Sequence, residues 1–173
     1  VLTIVTPVPT PTNDTTPNFT FASTEAGTLT YGGACSSTAT AALSGNNTLT
    51  LNTLVPGVYT YTDCTLRVTD VANNQSALLA LPSFTIDTTP PTITSVSSDT
   101  APGTYGIGQV IDIDLTFSEA VTSTGNVTIT LETGTTDRSC TFTLTNAITG
   151  TCNYTVQAGD TSADLTTASI AGT

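Results

Sequence analysis

The stretch SFTIDTTPPTITSV, residues 83–96, joins two segments of alternating apolar and polar residues, and Asp87, two threonines and two prolines lie between them. Alternation with a period of two is typical of a β-strand that buries one face. The same Asp-Thr-Thr-Pro begins at Asp14, 73 residues earlier, and is again followed by alternation. Because that spacing is about the size of one small β domain, the repeat predicts two β domains in tandem.

The chain is therefore divided into three parts. Residues 1–13, VLTIVTPVPTPTN, begin with a strand-like segment and continue with proline at every second position, which is typical of a semi-rigid extended linker. Residues 14–87 and 88–173 each contain short alternating segments separated by Gly and Asn, at the spacing of a β-sandwich. No window shows helical periodicity, so the predicted fold class is all-β.

The charge of the chain excludes some partners. The chain has thirteen acidic residues but only two basic ones, Arg67 and Arg138. It has no Lys and no His, and its formal net charge is −11. Nucleic acids and anionic membrane surfaces are bound through clustered Lys and Arg, so neither is expected as a partner. The apolar runs are too short for a membrane span of about 20 residues, and we expect no insertion into a membrane.

The four cysteines predict two disulfides. No pair has the close spacing of a zinc site, and His is missing as a ligand. Four cysteines allow three pairings, of which the domain division selects Cys35 with Cys64 and Cys140 with Cys152. The second pair is equidistant from Asn146, which predicts that the two face each other across a hairpin. Two disulfides predict an oxidising, extracellular setting, and a chain without Met fits a processed product or an excised piece.

Two long stretches resemble repeat modules of secreted proteins. TPTNDTTPNFTFASTEAGTLTYGG, VPGVYTYTDCTLRVTDVANNQS and SFTIDTTPPTITSV resemble the bacterial Ig-like repeat domains of large surface adhesins and biofilm proteins. YGIGQVIDIDLTFSEAVTSTGNVTITLETG, residues 105–134, is similar to a second type of Ig-like repeat from such proteins. The resemblance implies two tandem Ig-like β-sandwiches and says little about function. The usual TDAAGN loop of these repeats is TDVANNQS here, with Asn73 in place of Gly.

A calcium site is expected where the loop TDVANN returns toward the end of domain 1 that carries Asp87. Calcium takes six to eight oxygen ligands, and the resemblance implies that calcium stiffens adhesin stalks at such junctions. In the alternative interpretation Asp87 caps a turn and the loop is an ordinary Asx-rich loop, since no DxDxDG run is present. The candidate ligands are Asp70, Asn73, Asn74 and Asp87, with Glu119 or Asp99 of domain 2 as further ligands.

The sequence predicts no enzymatic activity. Asp112 and Asp114 alternate on one strand face, a spacing that resembles the paired carboxylates of glycosidases. No partner acid accompanies them, and the alternation predicts that both face solvent. Without His or Lys, and with every Cys assigned to a disulfide, the usual bases and activated nucleophiles are missing.

Six sequences match the acceptor for N-glycosylation, Asn followed by any residue and then Ser or Thr. Thr is abundant, so some of them arise by chance. The candidates begin at Asn13, Asn18, Asn46, Asn74, Asn126 and Asn153.

These observations favour a structural subunit of an extracellular fibre, filament or adhesin stalk. The alternative is a glycan- or protein-binding adhesin module, against which stand few aromatic residues and no Trp for stacking on sugars. A spacer of a secreted enzyme is a third interpretation.

The N-terminal strand predicts a way of assembling. The linker separates an N-terminal strand from domain 1, so this strand is not expected to join a sheet of its own copy. The strand consists of Val1, Leu2, Thr3, Ile4 and Val5. Domain 2 ends without the long closing strand of a sandwich of about seven strands. We therefore expect residues 1–5 to pair with domain 2 of a neighbouring copy, which gives a head-to-tail, open homopolymer. The rival interpretation is that the units are covalent repeats of one long chain.

Overall fold

The computed structural model describes residues 1–172 and shows β-strands with no helix among them. The chain divides into two compact units, unit 1 at Val1–Thr89 and unit 2 at Pro90–Thr173. The described residues therefore contain no helix long and apolar enough to cross a membrane. The high content of β-branched Thr, together with the near absence of Lys and Glu, accounts for the all-β fold.

Unit 1 contains nine strands in three small sheets. The strands are β1 Leu2–Thr6, β2 Asn18–Ser23, β3 Gly27–Gly32, β4 Ala41–Ala42, β5 Gly45–Thr50, β6 Val58–Tyr61, β7 Thr65–Thr69, β8 Leu79–Ala80 and β9 Phe84–Asp87. Their orders in the sheets are β1-β2-β5, β4-β3-β7-β8 and β6-β9. This arrangement is consistent with a β-sandwich.

The core of unit 1 follows from the alternation within its strands. Phe19 and Phe21 are on one face of β2 and are almost completely buried, and Ile86 of β9 is fully buried. Tyr61 stacks on Phe84 with ring centroids 5.2 Å apart. Each of these side chains contributes about 1.5–3 kcal/mol by leaving water, so β2 and β9 are the principal apolar strands of this unit.

The first thirteen residues belong to unit 1, and the expectation that they form a separate linker and a strand without a sheet is wrong. β1 pairs antiparallel with β2, with Ile4 opposite Phe21. Val8 is buried in the core of the unit. The amide of Thr12 donates to Thr85 O at 3.0 Å, and the residues that alternate with the prolines supply the hydrogen bonds that proline itself cannot make.

Unit 2, as far as residue 172, contains six strands in two sheets of three. The strands are β10 Ile93–Ser97, β11 Val110–Val121, β12 Val127–Leu131, β13 Arg138–Phe142, β14 Ala147–Thr155 and β15 Thr167–Ala171. The orders are β10-β11-β14 and β13-β12-β15. Leu115 of β11 and Ile129 of β12 are completely buried, so the core of the unit is at the inner faces of these two central strands.

Each unit contains one disulfide. Cys35 is bonded to Cys64 with Cα atoms 5.1 Å apart, and Cys140 to Cys152 with Cα atoms 5.6 Å apart. This is the pairing that the domain division selected. Both bonds close loops within their own unit.

The disulfide of unit 2 connects two sheets, so the expected hairpin between its cysteines is wrong. Cys140 is on β13, which pairs with β12, whereas Cys152 is on β14, which pairs with β11. Asn146 has a positive φ of 49° at the corner between the two strands. The ring of Phe142 packs on Gly150, where an added Cβ would lie 2.0 Å from it, so β13 and β14 meet face to face.

Candidate functional site

Unit 2 contains a groove of about 1070 Å³. Its floor is apolar and includes Ile111 and Ile113 of β11 and Leu131 of β12, so both sheets contribute to it. Val96 of β10 and Leu165, just before β15, line its sides. The groove lies between β10, an outer strand of one sheet, and β15, an outer strand of the other. Ile113 and Leu131 are themselves buried, whereas Ile111 is partly buried and Val96 is 40% exposed.

Both strands beside the groove have a free edge. β15 pairs with β12 only, and β10 pairs with β11 only, among the residues that the structure describes. All five residues of β10 are exposed, and its two large apolar side chains, Ile93 and Val96, are 47% and 40% exposed. A strand edge with unpaired amide and carbonyl groups beside apolar surface is a template for the addition of another strand.

The loop between β10 and β11 forms one wall of the groove, and a buttress of hydrogen bonds to Asp112 holds it. The Asp112 carboxylate accepts from the hydroxyl of Thr100, from the amide of Asp99 at 2.9 Å and from the hydroxyl of Ser98 at 3.3 Å. These bonds, that of Thr100 foremost, lower the pKa of Asp112 to about 2. Asp112 lies on the face of β11 opposite to buried Ile113, as the alternation predicts, and its carboxylate also anchors this wall.

The opposite wall contains an ion pair with a tyrosine. Asp160 accepts from Arg138 Nε at 2.9 Å and from the Tyr154 hydroxyl at 2.6 Å, and its side chain is only 5% exposed. Burial, followed by the hydrogen bond to Asp160 and its charge, raises the pKa of Tyr154 to about 12. The hydrogen bond from Tyr154 is the main reason that the pKa of Asp160 is below its ordinary value. Asp160 is therefore engaged within the unit, and this wall is held by charge-assisted hydrogen bonds.

The loop that carries Asp70 is closed by its own hydrogen bonds. The Asp70 carboxylate accepts from the amides of Ala72 and Asn74, both at 2.8 Å, and from Asn74 Nδ2 at 2.9 Å. Asn73 takes the left-handed conformation, φ 65°, that Gly has more readily in such a loop. These bonds lower the pKa of Asp70, that with the Asn74 side chain first.

Asp70 and Asp87 are at opposite ends of one long hairpin, so the expected calcium site between them is wrong. One arm of the hairpin consists of β6 followed by β7, and the other of β8 followed by β9, so that β6 pairs with β9 and β7 with β8. Asp70 comes directly after β7, near the turn of the hairpin. Asp87 is opposite Val58 at the base of the hairpin. At about 3.3 Å per residue, the eleven steps from residue 58 to residue 69 span roughly 35 Å of strand between the two ends. Asp87 instead accepts from the amide of Thr89 at 3.0 Å, as in the alternative interpretation of a capped turn.

A different acidic cluster is present in unit 2. Single carboxylate oxygens of Asp99, Asp112 and Asp114 lie within 4.8 Å of one another, a group of three found within the part of the chain that the structure describes. Two of the three are engaged, Asp112 as described and Asp114 by the hydroxyl of Thr151. The alternation of the sequence places Asp112 and Asp114 on one face. The approach of Asp99 comes from the fold of the β10–β11 loop and has no signal in the sequence. Calcium binding by the chain stays a prediction.

All six candidate glycosylation asparagines are exposed. The side-chain amide of Asn74 donates to Asp70, and Asn18 Oδ1 accepts from the Thr50 hydroxyl at 2.6 Å. The side-chain nitrogen of Asn74, to which a glycan would be attached, is thus engaged in a hydrogen bond. Asn74 is therefore a less favourable glycosylation site than Asn18.

Comparison of the chain with protein-family models, with curated proteins and with solved structures finds no match. The function is therefore argued from the geometry of the two units.

Proposed function

We propose that the chain is a structural unit of an extracellular fibre or stalk, built of two tandem Ig-like β-sandwiches and joined head to tail to further copies. The observation that carries the proposal is the open groove of unit 2 beside the free edge of β15. In unit 1 the last strand, β9, has a neighbour on each side, because β6 pairs with one of its edges and Thr12 bridges to Ile86 on the other.

A groove that meets a different surface of the next copy favours open-ended assembly. A contact between two identical patches would close into a symmetric dimer, whereas a contact between a groove and a different surface leaves a groove free at each step. Exposed apolar surface flanked by an unpaired strand also tends to be covered in the working form of a protein. A head-to-tail chain of copies satisfies both conditions.

Several features support an extracellular setting. Two disulfides are compatible with an oxidising compartment. The net charge of −11 keeps a surface rich in Thr soluble, and the exposed sequons leave room for glycans. The separate disulfide in each unit suits a fibre that must resist unfolding and proteolysis outside the cell.

Self-association of the purified, oxidised full chain tests the proposal. We expect sedimentation velocity to show species that grow with concentration, and electron microscopy to show linear chains of them. The control is the same protein at high dilution, where the 17.6 kDa chain should sediment alone. A single 17.6 kDa species at every concentration would contradict the proposal, and binding of that monomer to a glycan panel would support the alternative adhesin module.

A further inference from the structure

β1 and β9 have similar sequences, although they are placed very differently. The sequence of β1 is Leu-Thr-Ile-Val-Thr at residues 2–6. The sequence of β9 and the residue after it is Phe-Thr-Ile-Asp-Thr at residues 84–88. Both have a large apolar residue, then Thr and Ile, one variable residue and Thr. In β9 the two apolar side chains, Phe84 and Ile86, are 1% and 0% exposed and complete the core of unit 1. The sequence of β1 is therefore that of a closing strand.

In its own unit, however, β1 is a peripheral strand. It is an outer strand of its sheet and pairs with β2 alone. Leu2 and Ile4 are only partly buried, and Val5 is 48% exposed. Residues 1–12 contain no charged side chain. β1 is thus an apolar strand that its home position buries incompletely.

Unit 2 has the complementary geometry. β15 has five residues and one free edge, and the groove beside it is lined by Val96, which is 40% exposed, and by Ile111 and Leu165, which are only partly buried. We infer that this groove accepts β1 of a second copy, which adds to β15 as the closing strand of unit 2. The five residues of β1 match β15 in length, and Leu2 and Ile4 then cover the apolar floor as Phe84 and Ile86 cover the core of unit 1. An uncharged strand suits this site, because a carboxylate over the floor would lose its hydration without gaining a partner.

The donor strand can leave without releasing the segment that follows it. Val8 is buried in unit 1, and Thr85 N donates to Thr10 Oγ1 at 2.9 Å, so the residues after β1 are held independently of it. The exchange replaces the β1–β2 ladder, and the packing of Leu2 and Ile4 on the core of unit 1, with a β1–β15 ladder of similar length and the burial of the groove. This inference rests on the proposed function and specifies its contact: β1 of one copy and the groove of the next.

A pair of matched variants on β10 tests the acceptor. Val96 lines the groove and Ile93 does not, yet both are on the same strand with 40% and 47% exposure. Val96→Asp places a carboxylate where the donor strand would pack, so we expect the association constant of the full chain to fall about tenfold or more. Ile93→Asp adds the same charge to the same strand and should leave association within about threefold of the parent. Equal association of the two variants would overturn the inference.

A peptide competition tests the donor. A synthetic peptide of residues 1–8, VLTIVTPV, should shorten the oligomers of the full chain when it is added in excess, because it occupies the grooves. The same peptide with Ile4→Asp is the control and should leave the length distribution unchanged. If Val96→Asp blocks assembly but the parent peptide does not compete, another segment occupies the groove and β1 is not the donor.

The outcomes separate the inference from the proposed function. If oligomers form equally well in the Val96→Asp variant and in the presence of the peptide, the proposed fibre stands but this contact is excluded. A parent protein that stays monomeric, and whose groove does not bind the peptide, would contradict both.

Discussion

Unit 1 and unit 2 differ in how their last strands are covered. In unit 1, β9 has β6 on one side and Thr12 on the other, and Phe84 is buried to 1% exposure. In unit 2, β15 has one neighbour, and β10 is exposed along its whole length. The residue types are alike in the two units, so the contrast teaches that strand pairing, rather than composition, decides how far the last strand of a unit is covered.

The largest expected loss of stability comes from a cavity in the core of unit 1. Phe84→Ala removes a fully buried ring that stacks on Tyr61, and we expect unit 1 to lose about 3–5 kcal/mol of unfolding free energy. Hydrogen exchange measured separately on peptides from the two units should show faster exchange in unit 1 alone. Val96→Ala, in the open groove, is the control and should cost less than about 1 kcal/mol. Equal losses from the two variants would show that unit 2 is packed as completely as unit 1.

Removing each disulfide should come next in size and should act on one unit at a time. In the chain-entropy model, the bond that spans 29 residues in unit 1 is worth about 4 kcal/mol and the one that spans 12 in unit 2 about 3 kcal/mol. Double Cys→Ser variants, Cys35 with Cys64 and Cys140 with Cys152, should each lower the midpoint of one denaturant transition. Non-reducing peptide mapping that finds a bond between the units would contradict the division.

A smaller effect is expected at the contact between the two sheets of unit 2. Gly150→Ala places a methyl group into the ring of Phe142, and because the ring must move we expect a loss of about 1–3 kcal/mol. Thermal unfolding of unit 2 measures it. Gly106→Ala is the matched control, since its nearest neighbour is the Gln109 side chain at 3.8 Å, and it should be neutral within about 1 kcal/mol. No difference between the two variants would mean that β13 and β14 do not meet at Gly150.

The smallest effect is an alkaline pH dependence of unit 2 that depends on Tyr154. The pKa of Tyr154 is raised from its ordinary value of 10.0 to about 12, so the neutral phenol is favoured in the folded state. The stability that it contributes is fully present below pH 10 and is lost as pH rises through about 12. Alkaline unfolding of unit 2 should therefore shift in Tyr154→Phe but not in Tyr59→Phe, a control in unit 1 that is 49% exposed. A tyrosinate absorbance titration with all five tyrosines at their ordinary pKa would contradict this interpretation.

Local pattern was sufficient to predict much of the fold. The segment NFTFAS became β2 at the expected residues, and the alternation in VIDIDLTF became part of β11, with Ile113 and Leu115 buried. Both results depend on a period-two pattern that is fully contained in the segment itself. The pairing of the cysteines likewise needed only the position of the boundary between the units.

What the sequence did not reveal depends on long-range pairing. Nothing within residues 1–13 indicates that Thr12 will bridge to Ile86, 74 positions away, so the segment looked like a free linker. The hairpin that separates Asp70 from Asp87 has its arms broken between β6 and β7, which hid its length and suggested that the two acids meet. The groove became visible only from the sheet orders, because an unpaired edge is a property of neighbours and not of a segment.

The two disulfide loops also set how far the chain can be stretched. Under tension an unfolding unit releases only the residues outside its loop. The sequence separation of 29 between Cys35 and Cys64 holds back roughly 100 Å of extension, and that of 12 between Cys140 and Cys152 roughly 40 Å, at about 3.4 Å per residue. When a unit unfolds under force, its gain in extension would therefore be smaller than its residue count suggests. Reduction of the disulfides would increase that gain by different amounts in the two units.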